Sequence, residues 1–220
     1  MRRARQANGP RRLRDAAAEQ GVADRRVLDA LAGIPRELFV PESEAADVYQ
    51  DRPVSLPHNQ TTSQPSLIAA MVEALELDSD DVALEIGAGY GFQTALLAAL
   101  CRYVWAIEWW SDLAHTARAN LAAHGVSNAE VAAGDGHAGW PEHAPFHGII
   151  ISAATPQVPP GLAQQLAEGG RLVAPVGSRS SALVTVYDQQ QGRLRVRHEL
   201  VPARFVEMAG GDGGERRTRR

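Results

Sequence analysis

Lysine is absent from this 220-residue chain, and cysteine and long apolar runs are scarce. All 22 basic side chains are arginine, which indicates a bias in codon usage rather than a functional choice. Cys101 is the only cysteine, so no disulfide can form within the chain and a reducing cytoplasm is the expected location. No apolar stretch approaches the roughly 18 residues that a membrane span needs. The arginine-rich N-terminus also lacks the apolar core of a secretion signal.

Strong net charge is absent as well. The 22 basic and 26 acidic residues leave a formal charge of −4, which gives no global attraction to nucleic acid or to anionic membranes. Hydrophobic residues make up 45% of the chain, an ordinary globular value, and the length suits one domain with a modest appendage. We therefore expect a cytoplasmic monomer with no nucleic-acid partner and no membrane partner.

Composition divides the chain into four parts. Residues 1–20 are polar and basic, residues 209–220 are rich in glycine and arginine, and both are predicted to be disordered. Residues 21–79 are predicted to form an N-terminal helical segment that includes a substrate loop. Residues 80–208 are predicted to form the main, cofactor-binding domain.

Helical and strand patterns alternate through the main domain. Strands that alternate with helices predict a mostly parallel sheet with helices on both faces, and the last two strands predict an antiparallel edge. This is the Rossmann-like α/β architecture of class I methyltransferases. The predicted helices cover 27–34, 66–77, 92–100, 111–123 and 160–167, and the predicted strands cover 82–86, 103–107, 129–133, 148–152, 171–176, 182–188 and 194–201.

The most informative segment is a glycine-rich turn, Glu85-Ile-Gly-Ala-Gly-Tyr-Gly91, between a predicted strand and a helix. Gly87, Gly89 and Gly91 can adopt positive φ and bring the backbone close to a ligand. The dinucleotide fingerprint would need a further glycine where Phe92 stands. A loop that cradles no pyrophosphate, preceded by a carboxylate at Glu85 that can pair with an ammonium group, favours S-adenosylmethionine as the cofactor.

A second carboxylate supports this interpretation. Glu108 ends the next strand, about 20 residues after the glycines, where it can accept both hydroxyls of a ribose. Trp109 or Trp110 can then pack on the adenine face. A purely structural glycine turn is the alternative, and it gives Glu108 no role.

The polar segment Pro57-His-Asn-Gln-Thr-Thr-Ser-Gln-Pro65 precedes a helix. On local pattern alone, Ser63 is predicted to be the N-cap of that helix, with Pro65 in its first turn. His58 is interpreted either as a substrate contact or as a solvated loop residue. His137, His143 and His147 also lie close in sequence, but they have no cysteine partner, and we predict no metal site.

Several segments, in order, resemble protein-L-isoaspartate O-methyltransferases over about residues 25 to 208. The resemblance implies methyl transfer from S-adenosylmethionine to the free carboxylate of L-isoaspartyl residues in damaged proteins or peptides, which begins repair through a succinimide. The matching segments include Ile34-Pro-Arg-Glu-Leu-Phe-Val-Pro41, Tyr49-Gln-Asp-Arg-Pro53, Gln60-Thr-Thr-Ser-Gln-Pro65, Leu84-Glu-Ile-Gly-Ala-Gly, Gly134-Asp-Gly136, Ala153-Ala-Thr-Pro156 and Arg204-Phe-Val206.

The resemblance also implies residue roles. Ser63 would be the active-site residue, and we expect its hydroxyl and that of Thr61 to orient the acceptor carboxylate. Asp135 and Gly136 would contact the adenine end, with an ordinary turn as the alternative for Asp135. The residues predicted to bind the cofactor are Gln60, Thr62, Ser63, Glu85, Gly87, Gly89, Tyr90, Gly91, Glu108, Trp109, Asp135 and Gly136.

Several positions depart from the family pattern, among them His58, Asn59, Phe92 and Ala209, and two departures matter most. Two other functions also stay open. Tyr90 takes a place more often held by serine and could narrow the cofactor loop. His147 stands where an aspartate usually precedes the fourth strand, so a charge that orients the backbone is lost. One alternative function is methylation of an ordinary aspartate in a dedicated peptide, which gives an aspartimide. The other is a binding module without catalysis.

Overall fold

The computed structural model describes residues 9–211, in which two short strands precede a seven-stranded sheet. The sheet has the order β5-β4-β3-β6-β7-β8-β9. Strands β3 to β7 are parallel, whereas β8 is antiparallel to both of its neighbours. The strands are β1 (Ser55–Leu56), β2 (Gln60–Thr61), β3 (Val82–Ile86), β4 (Tyr103–Glu108), β5 (Ala129–Ala133), β6 (Phe146–Ile151), β7 (Leu166–Ser178), β8 (Ser181–Gln190) and β9 (Arg193–Ala203).

Helices flank the sheet, and two hydrophobic clusters fill the space between them. Side chains alternate along the strands, so that Ala83 and Val104 belong to one cluster while Leu84 and Ile107 belong to the other. The mostly parallel sheet, its antiparallel edge and the helices that cover it confirm the predicted class I methyltransferase fold. The helices are α1 (Gly9–Glu19), α2 (Arg25–Gly33), α3 (Pro65–Glu73), α4 (Phe92–Ala98), α5 (Ser111–His124) and α6 (Pro160–Gln164).

The N-terminal arm was predicted to be disordered, and this is wrong for residues 9–19, which form helix α1. Leu13 and Ala17 lie four residues apart and are fully buried, so the helix has a narrow apolar face. That face joins the cluster that also holds residues of α2 and α3. The arginines at positions 11, 12 and 14 hid the apolar spacing in the sequence.

The outer parts of both predicted tails, residues 1–8 and 212–220, lie outside the described residues. Within the predicted C-terminal tail, Gly211 is still in contact with the fold, because its N–H donates to Asp135 Oδ2 at 2.9 Å. No helix in residues 9–211 combines the length and the apolar composition needed to cross a bilayer.

The topology fixes where a ligand can bind. Strand β3 pairs with β4 on one side and β6 on the other, so the chain winds in opposite directions from this point. Ligands of open parallel sheets bind outside the carboxyl ends of the strands at such a reversal. The glycine turn, the end of β4 and the end of β6 all lie at this edge.

Candidate functional site

The glycine turn adopts the backbone conformation that its sequence predicts. Gly87, Gly89 and Gly91 have φ values of 92°, 56° and 90°. Gly91 precedes α4, and its N–H donates to the carbonyl of Ala88 at 2.8 Å. A side chain at any of the three would strain the turn, because L-residues rarely adopt these angles.

Glu108 is tied to the same turn. Its carboxylate accepts hydrogen bonds from the N–H of Gly89 at 2.8 Å and of Trp110 at 3.0 Å, one on each oxygen. Burial raises the pKa of Glu108, and the backbone hydrogen bonds oppose that rise. A carboxylate has about four lone-pair sites, more than its backbone donors Gly89, Trp109 and Trp110 use, and Glu108 lines a cavity of about 70 Å³ beside the glycines. The carboxylate can thus accept hydroxyl groups from a ligand.

Glu85 lies at the end of β3 and is fully buried. Its carboxylate accepts hydrogen bonds from Gln93 Nε2 at 2.9 Å and from Thr94 Oγ1 at 2.6 Å. Burial raises the pKa of Glu85 to about 7 despite these donors. The group also lines a second cavity, of about 50 Å³, together with Ser63 and Tyr90. A cationic ligand group in that cavity would favour the ionised carboxylate.

The raised pKa of Glu85 makes the stability of the ligand-free protein depend on pH. The folded state holds the Glu85 proton more tightly than the unfolded chain does. The contribution of Glu85 to stability is therefore greatest below about pH 4.5 and is lost as the pH rises through about 7. We expect Glu85→Gln to remove this loss and to stabilise the protein at pH 8 by on the order of 2 kcal/mol, with a smaller difference at pH 5. Thermal unfolding from pH 5 to 8 measures this difference in stability, with Glu130→Gln, at an exposed position of β5, as control. A difference in melting temperature between Glu85→Gln and the parent protein that is the same at every pH would rule the effect out.

The segment that contains Thr61 and Ser63, residues 60–64, is called the acceptor segment here. It is held by a hairpin on one side and by α3 on the other. Strands β1 and β2 pair over only two residues each, and between them His58 and Asn59 both have positive φ, at 60° and 55°. Positive φ costs an L-residue roughly 1–2 kcal/mol, less for asparagine. The His58 ring stacks on Trp110 at 3.9 Å, and its Nε2 is 2.8 Å from Asp112 Oδ2. His58 is therefore a contact between two segments of the fold.

The prediction that Ser63 is the N-cap of α3 is wrong. The helix begins at Pro65, its N-cap is Gln64, and no capping hydrogen bond comes from the Gln64 side chain. Asp51, distant in sequence, supplies the acceptor instead: its carboxylate accepts from the Ser66 N–H at 2.8 Å and from the Ser66 hydroxyl at 2.7 Å. Ser63 is thus released from a capping role, and no hydrogen bond within residues 9–211 engages its hydroxyl.

Several cavities meet at the acceptor segment. One of about 500 Å³, called the large cleft below, is an open cleft between residues 61–70 and 200–206. A more open one of about 570 Å³ borders it at Thr61 and residues 204–206. Ser63 lines this cleft and the cavity beside Glu85. Thr61 and Ser152 line the cleft and both smaller cavities. A ligand in the cleft would therefore meet a ligand in the smaller cavities at these hydroxyl groups.

The other predicted cofactor-binding residues divide between the two small cavities. Gln60, Trp109 and Gly136 line the cavity beside Glu108. Tyr90 and Thr62 line the cavity beside Glu85, so the phenol ring does not fill the space beside Glu108. Gly87 and Gly89 line both. A β-carbon at Gly136 would come within 2.3 Å of Ile86, so this glycine is also required for packing.

Asp135 is occupied within the protein. Its Oδ1 accepts from the His137 N–H at 2.9 Å and lies 2.8 Å from His137 Nδ1, while Oδ2 accepts from the Gly211 N–H. It is therefore the N-cap of the short helical turn after β5, as the alternative interpretation stated. Asp135 is not among the residues that line the cavity beside Glu108.

The three neighbouring histidines have separate structural roles. His137 contacts Asp135, and His143 stacks on Trp105 at 3.3 Å. His147 Nδ1 accepts the N–H of Val82 at 3.1 Å, which orients the start of β3. His147 thus contributes a hydrogen-bond acceptor at the position where the family pattern has an aspartate.

Sequence reasoning missed four residues of the site. Ser152 directly follows β6 and accepts from Gln93 Nε2 at 2.8 Å, and Arg204 lines the large cleft. Arg36 and Asp51 anchor the acceptor segment from outside. A polar residue directly after a buried strand is the signal that could have identified Ser152, as Glu108 was identified. The contacts of Arg36 and Asp51 are not local in sequence and left no comparable signal.

Comparison with known proteins connects this geometry to one family. The family model described as Protein-L-isoaspartate(D-aspartate) O-methyltransferase matches residues 10–213. The Protein-L-isoaspartate O-methyltransferase of Anaeromyxobacter dehalogenans (strain 2CP-C) is 46% identical over 200 residues, which cover 90% of this chain and 96% of that protein. The one from Methanoregula boonei is 44% identical over 198 residues, which cover 90% of this chain and 91% of that protein.

Solved structures agree with this. A protein-L-isoaspartate O-methyltransferase is similar with a TM-score of 0.83 at 28% identity, over 93% of this chain and 67% of that chain. A second such structure, from Plasmodium falciparum, has a TM-score of 0.76 at 21% identity, over 89% of this chain and 96% of that chain, and shares the fold.

Proposed function

This chain belongs to the protein-L-isoaspartate(D-aspartate) O-methyltransferase family, and we propose that Ser63 and Thr61 present the acceptor carboxylate to the methyl donor in it. The enzyme transfers a methyl group from S-adenosylmethionine to the free carboxylate of L-isoaspartyl residues in damaged proteins or peptides, and so starts their repair through a succinimide. The proposal concerns which residues of this chain carry out that reaction.

The residues at the carboxyl ends of β3 and β4 fit the donor. Glycines with positive φ let the backbone approach it closely, Glu108 has lone pairs for the ribose hydroxyls, and buried Glu85 can pair with the ammonium group. We further propose Gln60, Thr62, Tyr90, Trp109 and Gly136 as surrounding contacts. Asp135 would reach the adenine end only if the Gly211 N–H released its carboxylate.

The reaction asks little of the acceptor side. When bound, S-adenosylmethionine supplies a methyl group already activated by a sulfonium. The acceptor carboxylate is ionised at neutral pH, since its reference pKa is near 4, so no general base is needed. A hydroxyl group can orient the carboxylate with one hydrogen bond, whereas close pairing with arginine would stabilise the charged ground state that methyl transfer neutralises. Alignment of the reacting atoms then supplies the acceleration.

One observation carries this proposal: Ser63 and Thr61 lie where the large cleft meets the cavities beside Glu85 and Glu108. The cleft has a volume of about 500 Å³, within the range of ligand pockets, and its lining combines hydroxyl groups with Arg204 and with apolar side chains such as Leu200 and Phe205. An acceptor in the cleft and a donor beside the glycines would thus face each other across these two hydroxyls.

A paired-peptide assay tests the activity itself. Two peptides that are identical except for L-isoaspartate or aspartate at one position are incubated with radiolabelled S-adenosylmethionine. We expect label only in the isoaspartyl peptide, followed by conversion of part of it to the aspartyl form. Transfer to the aspartyl peptide alone would instead support a dedicated aspartate methyltransferase, and absence of donor binding would support a binding module.

Ser63→Ala tests the proposed acceptor residue. We expect kcat/KM for the isoaspartyl peptide to fall by about 10–100-fold, because a hydrogen bond to a charged group contributes about 1.5–3 kcal/mol. The dissociation constant of S-adenosylhomocysteine, measured by calorimetry, should stay within about twofold, since the hydroxyl acts on the acceptor.

Ser127→Ala is the matched control, because Ser127 is exposed and precedes β5 at the opposite edge of the sheet. It should change neither quantity. Unaltered turnover in Ser63→Ala would show that the hydroxyl does not orient the acceptor, even though it lines the cleft.

The remaining proposals concern organisation. Residues 21–79 would supply the acceptor elements and residues 80–208 the donor site, within a monomer that acts in the cytoplasm without a nucleic-acid partner. The net charge of −4 and the single buried cysteine support this. Sedimentation of the full chain with and without S-adenosylhomocysteine would reveal a dimer if one forms.

A further inference from the structure

Two of the segments that line the cavity beside Glu108 come from distant parts of the chain. Leu56, Gln60 and Thr61 of the β1–β2 hairpin form one wall, and the segment 108–110 after β4 forms another; the glycine turn and residues 206–209 contribute to the rest of the lining. The cavity volume of about 70 Å³ is far below the 300–1,000 Å³ of pockets that hold ligands of nucleoside size. A bound nucleoside needs more room than this, and separation of the hairpin from the segment 108–110 would provide it.

His58 joins these walls. Its ring is stacked on Trp110 with centroids 3.9 Å apart and planes inclined by 5°. Its Nε2 also lies 3.0 Å and 2.8 Å from the two carboxylate oxygens of Asp112, in the first turn of α5. We define these three side chains, His58, Trp110 and Asp112, as the latch.

Beyond its base, where Val54 and Thr62 share two hydrogen bonds, the hairpin has few other means of staying closed. Its ladder consists of the pairs Ser55–Thr61 and Leu56–Gln60, and ladders this short are not stable by themselves. Two consecutive non-glycine residues at its tip, His58 and Asn59, have positive φ. Without the latch the tip would relax towards ordinary backbone angles, and Gln60 and Thr61 would move with it.

Of the latch side chains, Trp110 lines the cavity beside Glu108, but His58 does not touch the ligand space. Gln60 and Thr61 line this cavity, whereas His58 is not among its lining residues. About a third of the His58 side chain and more than half of the Asp112 side chain are exposed, which places the His58–Asp112 hydrogen bond at the outer rim. His58 would thus act through the hairpin, as a positioning residue.

We propose that the latch is the gate of the donor site: it holds the hairpin closed over the nucleoside and sets how fast S-adenosylmethionine enters and S-adenosylhomocysteine leaves. The proposal rests on the proposed function, in that the cavity beside Glu108 is taken as the donor site. The gate is proposed to close equally over the free and the occupied site, so its loss should raise the association and dissociation rates together and change the equilibrium affinity little.

Stopped-flow fluorescence of S-adenosylhomocysteine binding to the full chain tests this gate. His58→Asn is the main variant, since asparagine tolerates positive φ but has no ring to stack. We expect both rate constants to rise by about tenfold, as loss of one aromatic stack and one exposed hydrogen bond would give, and the dissociation constant to stay within about threefold. Asp112→Asn should raise both rates by about threefold, and because Asp112 is exposed this variant should fold normally.

His143→Asn is the matched control. It removes another histidine stacked on a tryptophan, Trp105, on the opposite side of β4 from the latch elements. Its binding rates should equal those of the parent protein. Rates that are unchanged in both latch variants would overturn the gate, as would faster dissociation with unchanged association, which would make His58 part of the pocket wall. If the parent protein failed to bind S-adenosylhomocysteine, the assignment of the donor site would be overturned and not the gate alone.

Discussion

Glu108→Ala is expected to lower the affinity for S-adenosylhomocysteine by at least about 100-fold. Two hydroxyl groups of a ribose can donate to this carboxylate, and each hydrogen bond to a charged acceptor contributes about 1.5–3 kcal/mol. The same carboxylate holds the N–H groups of Gly89 and Trp110, so its loss also removes two contacts that shape the glycine turn. Isothermal titration calorimetry measures the effect directly.

A graded series separates ligand contact from support of the turn. Glu108→Gln keeps the length of the side chain and one acceptor oxygen, but its amide group cannot accept from both backbone N–H groups. It should bind S-adenosylhomocysteine with intermediate affinity. Glu130→Ala, at an exposed position of β5, should bind S-adenosylhomocysteine with the affinity of the parent protein. Affinity within about threefold of the parent protein in Glu108→Ala would show that the ribose is held elsewhere.

The donor half of the site could be predicted from local sequence because local sequence determines it. Strand β3 has the bounds 82–86 that were predicted, since a buried apolar run is terminated there by glycines that need positive φ. Glu108 follows from the same geometry, because the end of the second parallel strand must lie beside that turn. Each inference needed no more than one β–α–β unit.

The acceptor half could be predicted only in part, because distant residues hold it. The sequence pattern at Ser63 is that of an N-cap, yet Asp51 satisfies the helix from 15 residues away and leaves the Ser63 hydroxyl for another role. Asp135 likewise has its expected place after β5, but the contact with Gly211 comes from 76 residues away. Contacts of this kind depend on the tertiary fold and have no periodic signal in the sequence.

Arg36 is the strongest example of such a contact, and its replacement should have the largest effect on stability. Its side chain is 1% exposed, and the guanidinium donates to the carbonyl oxygens of Val48, Gln50 and Arg52 at 2.8, 2.9 and 2.9 Å. Burial lowers the pKa of Arg36 to about 10, so it remains charged at neutral pH. The fork of five N–H donors suits three carbonyls in a way that no other side chain can reproduce.

We expect Arg36→Met to lower the free energy of unfolding by about 3–5 kcal/mol, because methionine fills similar volume but leaves the carbonyl groups of Val48 and Arg52 without a donor and that of Gln50 with only the Arg52 N–H. Arg36→Lys should lose somewhat less, since one ammonium group cannot reach all three oxygens. Urea denaturation provides the measurement. The control Arg102→Met removes an exposed arginine with one carbonyl contact, to Asp80, and should cost less than about 1 kcal/mol.

The position of Arg36 predicts that this loss of stability is coupled to function. The guanidinium lies over the ring of Phe92, the first residue of α4, at 5.7 Å, and NH2 is 3.5 Å from Thr62 Oγ1. Arg36 therefore contacts both the acceptor segment and the helix that follows the glycine turn. Below its unfolding temperature, Arg36→Lys should raise the KM for the isoaspartyl peptide while the affinity for S-adenosylhomocysteine changes less, because the acceptor segment has lost its anchor and the glycine turn keeps Glu108. If the binding of the isoaspartyl peptide and of S-adenosylhomocysteine weakened equally, the variant would have loosened the whole site. Arg36 would then be a core residue without a specific hold on the acceptor segment.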